Sequence, residues 1–166
     1  MFVADEARDG ALLDRVMIMD LASRYAWLLD YGRGRAGELA ELFTEDGVFE
    51  LPVQGQRHEG RSAIRTLVER AHGARRYLHH MAANHVIDVS GDEAIGHLHF
   101  NEFVLVAGEL RNYSQGRYQD EYARTANGWR FRRRQVHIPE ESFALMTSTE
   151  MQKAGVAIVQ TFSDLA

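Results

Sequence analysis

The chain is 166 residues long, 45% hydrophobic and 26% charged, with a formal net charge of −5. That length suits one domain with its own core, and that composition excludes the disordered and fibrous classes. The acidic balance argues against nucleic acid, whose phosphates need a basic face, and the lack of cysteine removes disulfides, a thiol nucleophile and Cys-type zinc.

Met1 to Gly10 carry Asp5, Glu6 and Asp9 and no apolar stretch, so no signal peptide is expected and a cytoplasmic location is the default. No apolar run approaches the ~20 residues that a membrane span needs. Leu13, Val16, Met17, Leu21, Tyr25 and Leu28 recur at helical spacing and predict a helix over 11–31, closed by Gly32 and Gly34. A short helix is expected over 36–43, a strand over 47–52, and a helix over about 61–72 carrying Ile64, Leu67 and Val68. Strands follow over 77–89, 94–107, 112–125 and 129–138, with a loop around Gly108 and Asn127-Gly128 as a type I′ hairpin turn. Helices followed by an antiparallel meander predict an α+β fold. The domain is expected to span 1–138. The apolar tail, 139–166, contains Phe143, Met146, Met151, Val156, Ile158, Val159 and Phe162 and is expected to cover the sheet or dock on another subunit.

Five segments, in order over about 11–138, carry a family resemblance. They are Tyr25 to Asp30, Leu42 to Glu50, Gly60 to Ile64, Gly116 to Tyr122, and Gly128 to Phe131. Together they resemble the SnoaL-like family of the nuclear-transport-factor-2-like superfamily. The resemblance implies a cone-shaped barrel in which N-terminal helices pack on a curved, mostly antiparallel sheet around a pocket. Its site residues are most similar to those of bile-acid 7α-dehydratase, hexachlorocyclohexane dehydrochlorinase and scytalone dehydratase, all of which eliminate HX without a metal or cofactor. The resemblance puts their catalytic histidine on His80. It matches helix-1 groups to Asp30 and Tyr25, a strand carboxylate to Glu102 and an arginine to Arg134. Glu102 is one methylene longer than the aspartate it replaces, and the bile-acid enzyme's arginine falls on Ile138.

The chemistry fits those residue types. Histidine takes and releases protons near neutrality, and a carboxylate on one ring nitrogen fixes its tautomer. His80 with Asp30 would be such a pair; the competing reading makes Asp30 a loop cap and His80 an ordinary half-buried histidine. Tyr25 serves as a hydrogen-bond donor to substrate or as a core tyrosine. Alternation groups Glu102 with Leu98, Phe100 and Val104, where desolvation favours the protonated acid; the alternative is an ion pair with an arginine, Arg134 among the candidates. Tyr31, Asn84, Phe100, Tyr118, Asp120 and Arg134 are expected to contact substrate. Asp120 is open to an acid or base role or to a structural one, and the arginines of the run 130–134 to a solvated strand face. Eight histidines raise the question of a metal site, but no His-Glu-x-x-His spacing occurs, and neither metal nor cofactor is expected.

The resemblance, with these matched residues, implies a dehydratase-type lyase acting on a small hydrophobic, polycyclic or polyketide-like molecule, and the apolar tail points to a homodimer or homotrimer. The alternatives are an isomerase or cyclase using the same pocket, and a non-catalytic ligand-binding or oxygenase-subunit protein.

Overall fold

The computed structural model describes residues 6–74, 79–106 and 109–146. The loop around Gly108, the start of the strand expected from 77, and the tail residues Met151, Val156, Ile158, Val159 and Phe162 lie outside the described residues. Among the described residues, four helices, α1 (Glu6–Tyr31), α2 (Ala36–Ala40), α3 (Gly60–Ala74) and α4 (Glu140–Met146), accompany six strands. The strands are β1 (Phe43–Leu51), β2 (Gln56–Glu59), β3 (His79–Ser90), β4 (Glu93–Val106), β5 (Glu109–Thr125) and β6 (Gly128–His137).

The strands form one sheet in the order β2-β1-β6-β5-β4-β3. All pairings are antiparallel except β1 with β6. The sheet curls around a core but is not closed, since β2 and β3 remain its two edges. The α+β expectation therefore stands, as an open curled sheet with helices on its concave side.

Helix α1 is apolar on more than one side, and its buried stripe is Ile18, Leu21, Ala22, Tyr25 and Leu28. Leu13, Val16 and Met17, expected in that stripe, are exposed. Both sets obey helical spacing, so periodicity alone could not choose between the faces. Helix α3 reads more simply, with Ile64, Leu67, Val68 and Ala71 buried. The α2 helix is shorter than expected, and β1 begins at Phe43 because Phe43 and Phe131 pair across the β1–β6 junction. β2 follows a 3-10 turn, Pro52–Gln54, and a left-handed Gly55 at φ +66, and the sequence reading passes over it.

The β5–β6 loop is Ala126-Asn127, one residue earlier than the expected turn, because Thr125 pairs with Gly128. Gly128, not Asn127, takes the positive φ of +90. The Thr125 hydroxyl donates to the Gly128 carbonyl at 2.8 Å and accepts the Asn127 N–H at 3.2 Å, which holds the turn in this register. Beyond Pro139, α4 lies on β5. There Ser142 Oγ accepts the Gln115 N–H at 3.4 Å, and Phe143 is half-buried against the core.

Outside the core, Glu50 ties β1 to its neighbours. Arg57 donates to it, Arg133 donates through Nη2 at 2.7 Å, and Gln135 donates through Nε2 at 2.7 Å. Burial works against its charge, but these donors prevail and hold its carboxyl below the ordinary 4.5. A carboxylate whose pKa falls on folding stabilises the fold above its unfolded value and loses that contribution as pH falls through the folded one. Glu50→Gln is therefore expected to be less stable at neutral pH, with the deficit shrinking below about pH 4.5. Urea titrations at a series of pH values read this directly; a deficit independent of pH would contradict it.

Candidate functional site

The site begins where α1 stops. The Gly32 N–H reaches the Leu28 carbonyl at 2.9 Å, and a Cβ on Gly32 would sit 2.2 Å from that oxygen, so only glycine ends the helix this way. Asp30 is thereby held in the last turn, facing the start of β3. Its Oδ2 accepts the backbone N–H of His80 at 2.6 Å, and its Oδ1 lies 2.6 Å from His80 Nδ1. Both side chains are buried, 3% and 5% exposed respectively.

A carboxylate only accepts, so Nδ1 carries a proton, and in the neutral ring Nε2 is the nitrogen with the lone pair. The second bond, to the backbone, stops the carboxylate from rotating away. His80 Nε2 lies 3.9 Å from Glu102 Oε2. This follows from register: His80 stands opposite Glu102, and Glu102 stands opposite Ser114 on β5. Three polar side chains thus form one row across three strands, on the face that carries Leu98, Phe100 and Val104.

The row borders a cavity of about 70 Å³. Leu39, Ile64, Leu67 and Val68 close it from the helical side, and Tyr25, Phe100 and Tyr118 add aromatic walls. Tyr118 stacks on Phe100 with ring centroids 4.6 Å apart. Gly116 makes that possible, since a Cβ there would lie 3.0 Å from the Phe100 ring and 2.3 Å from the His137 carbonyl. Burial, with Tyr25 adding to it, pushes the Tyr118 hydroxyl well above its usual range, so it remains a neutral phenol.

The sequence-predicted residues divide into three groups. Tyr25, Phe100, Tyr118, His80 and Glu102 line the cavity, with Asp30 immediately behind His80. Tyr31 and Asn84 do not line it. Tyr31 is half exposed, with its hydroxyl 3.1 Å from His79 Nδ1. Asn84 adopts φ +58 in a bulge of β3, and its amide points to His99 on the solvent side, 3.3 Å from Nδ1. The bulge turns that residue away from the concave face.

Asp120 and Arg134 form the third group. They are paired bidentately at 2.7 and 2.9 Å, at 0% and 1% exposure, and neither lines the cavity. Arg134 belongs to Asp120, not to Glu102. Burial alone would lower the arginine's pKa, but the Asp120 charge overrides it and raises the value. The guanidinium also lies 4.1–4.2 Å from the ring centroids of Tyr25, Tyr118 and Phe131, so it backs the aromatic wall from behind. The flanking Arg132 and Arg133 pair outside with Glu93, Glu121 and Glu50.

Two polar lining residues escaped the sequence reading: Ser114 and Gln54. Alternation along β5 put Ser114 inward with Gly116 and Tyr118, which was the available signal; Gln54 sits in the 3-10 turn, where periodicity carries no information. Among the described residues, no three His, Asp or Glu side chains converge as metal ligands would, and no helix is long and apolar enough to cross a membrane.

The fold recurs in known proteins. Rv3472 of Mycobacterium tuberculosis, of unknown function, superposes with a TM-score of 0.80 at 22% identity, over 93% of this chain and 89% of its own. A nuclear-transport-factor-2-like protein with a cystatin-like fold from Novosphingobium aromaticivorans is 30% identical, with a TM-score of 0.72 over 86% of this chain and 95% of its own. A candidate scytalone dehydratase from the same organism is 25% identical, with a TM-score of 0.68 over 80% and 88%. No curated protein matches the chain. Residues 10–135 match the SnoaL-like domain, and the chain belongs to that family.

Proposed function

We propose that this protein is a cofactor-independent lyase of the dehydratase type, acting on a compact, largely apolar substrate that carries a leaving group β to a carbonyl. The observation that carries this reading is the double grip of Asp30 on His80, which leaves Nε2 beside Glu102 at the edge of an apolar cavity. His80 Nε2 removes a proton from the carbon next to the carbonyl. The C–H electron pair becomes the new C=C bond, the C–O bond breaks, and Glu102 gives its proton to the departing hydroxyl, which leaves as water. The imidazolium proton then returns to the Glu102 carboxylate, and the site is reset without a redox step. Tyr25 or Tyr118, both at the wall, donates to the carbonyl as charge builds on it. General base catalysis of this kind contributes about 10²–10⁴ in rate.

A cavity of about 70 Å³ favours a substrate no larger than a single ring over a polycyclic one. The likeness to a candidate scytalone dehydratase supports an elimination. The same base also serves an isomerase or cyclase, and analysis of products for lost water distinguishes those reactions. The test is a panel of one-ring and acyclic β-hydroxy ketones, followed by the absorbance of the conjugated enone. His80→Ala, folded by circular dichroism, is expected to lose at least about a hundredfold in turnover. Wild-type protein that accelerates no member of the panel, or a folded His80→Ala that stays within a few-fold, would sink the reading.

A further inference from the structure

Two polar atoms in the cavity wall take no part in proton transfer. Ser114 is wholly buried at 1% exposure, and its Oγ has no hydrogen-bond partner among the described residues. Gln54 closes the 3-10 turn after β1, and its side-chain carbonyl Oε1 is likewise buried without one. Both residues line the cavity.

Their places in the sheet are far apart. Ser114 is on β5, opposite Glu102, while Gln54 follows β1, on the far side of β6. The wall between them is apolar: Val136 and Ile138 at the end of β6, Phe49 and Leu51 on β1. The cavity thus has a polar pole at the catalytic row, a second polar point on the opposite lip, and a greasy belt between. A buried polar atom left unpaired costs free energy, and a folded protein tolerates it where something else supplies the partner. A carbonyl oxygen accepts only, so the partner for Gln54 is an O–H or N–H. A serine hydroxyl both donates and accepts, so Ser114 takes an oxygen of either kind.

We propose that Ser114 and Gln54 are substrate-anchoring residues, and that the ligand of this site is a compact hydroxylated ring. One oxygen of the ring meets Ser114 beside Glu102, and a hydroxyl on its far side donates to Gln54. This deepens the proposed function, because it names the substrate class of the same pocket. It does not depend on turnover.

The test measures binding to the full chain by titration calorimetry with three probes of one ring: toluene, phenol and resorcinol. Resorcinol is expected to bind more tightly than phenol, and phenol more tightly than toluene, by about tenfold per hydroxyl. Ser114→Ala and Gln54→Leu are each expected to remove about one such step while melting no earlier than the wild type, since each deletes an unpaired buried polar group. A residue with only a structural role would show the opposite, lower stability with the preference intact. Toluene binding as well as resorcinol, no binding of any of the three, or a variant that keeps the full wild-type preference would overturn the proposal. Because the readout is affinity, a protein that prefers resorcinol but eliminates nothing would overturn the lyase reading and leave this one standing.

Discussion

Asp30→Asn is expected to lower turnover by about 10²–10⁴ while leaving the fold intact. The carboxylate does two things at once: it accepts the His80 Nδ1 proton and the His80 backbone N–H, both at 2.6 Å. Asparagine can keep the bond to the backbone, because its carbonyl accepts as the carboxylate did. The NH₂ group then faces Nδ1, and a donor there demands a lone pair from the ring. The imidazole must hold its proton on Nε2, the nitrogen that faces the cavity, and it cannot abstract another. Nitrogen-15 NMR of the histidine ring reads this change of tautomer without any substrate. The wild type should show Nδ1–H and the variant Nε2–H. A group that acts through another should also be non-additive with it, so Asp30→Asn/His80→Ala should be no slower than His80→Ala alone. An Asp30→Asn protein with wild-type tautomer and turnover would reduce Asp30 to a helix-end tether and leave His80 without its partner.

The largest stability effect is expected at Arg134. Removing one member of a buried ion pair leaves the other charge stranded, at a cost of about 3–5 kcal/mol. Arg134→Met should pay this in full. Asp120 is wholly buried, and its remaining partner is the Tyr122 hydroxyl at 2.8 Å. For a domain of this size that corresponds to a fall in Tm of roughly 6–20 °C. The rings of Tyr25, Tyr118 and Phe131 lose the cation they pack against, which adds to the loss. The double variant Arg134→Met/Asp120→Leu should recover much of the deficit, because replacing both charges with apolar groups of similar volume removes the stranded one. Urea denaturation of the two single variants and the double completes the cycle. A single variant within about 1 kcal/mol of wild type would mean that water reaches the pair, and would reopen Arg134 and Asp120 as ligand contacts.

Why the sequence pointed Arg134 at substrate, when the structure gives it to Asp120, is a matter of register. Alternation along β5 correctly put Asp120 inward with Tyr118 and Tyr122. With Asn127-Gly128 as the loop, Asp120 would oppose Gln135. The actual loop lies one residue earlier, and a bulge between Glu121 and Tyr122 then shifts the pairing back until Asp120 faces Arg134. The pairing of Ser114 with Glu102 was hidden in the same way. A bulge between Glu102 and Phe103 moves Ser114, rather than Tyr113, opposite Glu102. A bulge costs one residue of offset and leaves no compositional mark, so pairing across a sheet cannot be counted from the turns alone.

What the sequence by itself determined is the local grammar. Glycines and prolines mark the ends of elements, helical spacing marks α1 and α3, and alternation marks which side chains of β4 and β5 face inward, Glu102 included. These follow from each residue's own backbone and its nearest neighbours in the chain. Tertiary structure alone decided the rest: which apolar side of α1 is buried, that β1 pairs parallel to β6, that the Asp30–His80 pair raised by the family resemblance closes across fifty residues, and that Asp120 pairs with Arg134. Each of those is a contact between distant segments. It depends on turn, bulge and helix end acting together, and no local stretch of the chain encodes it.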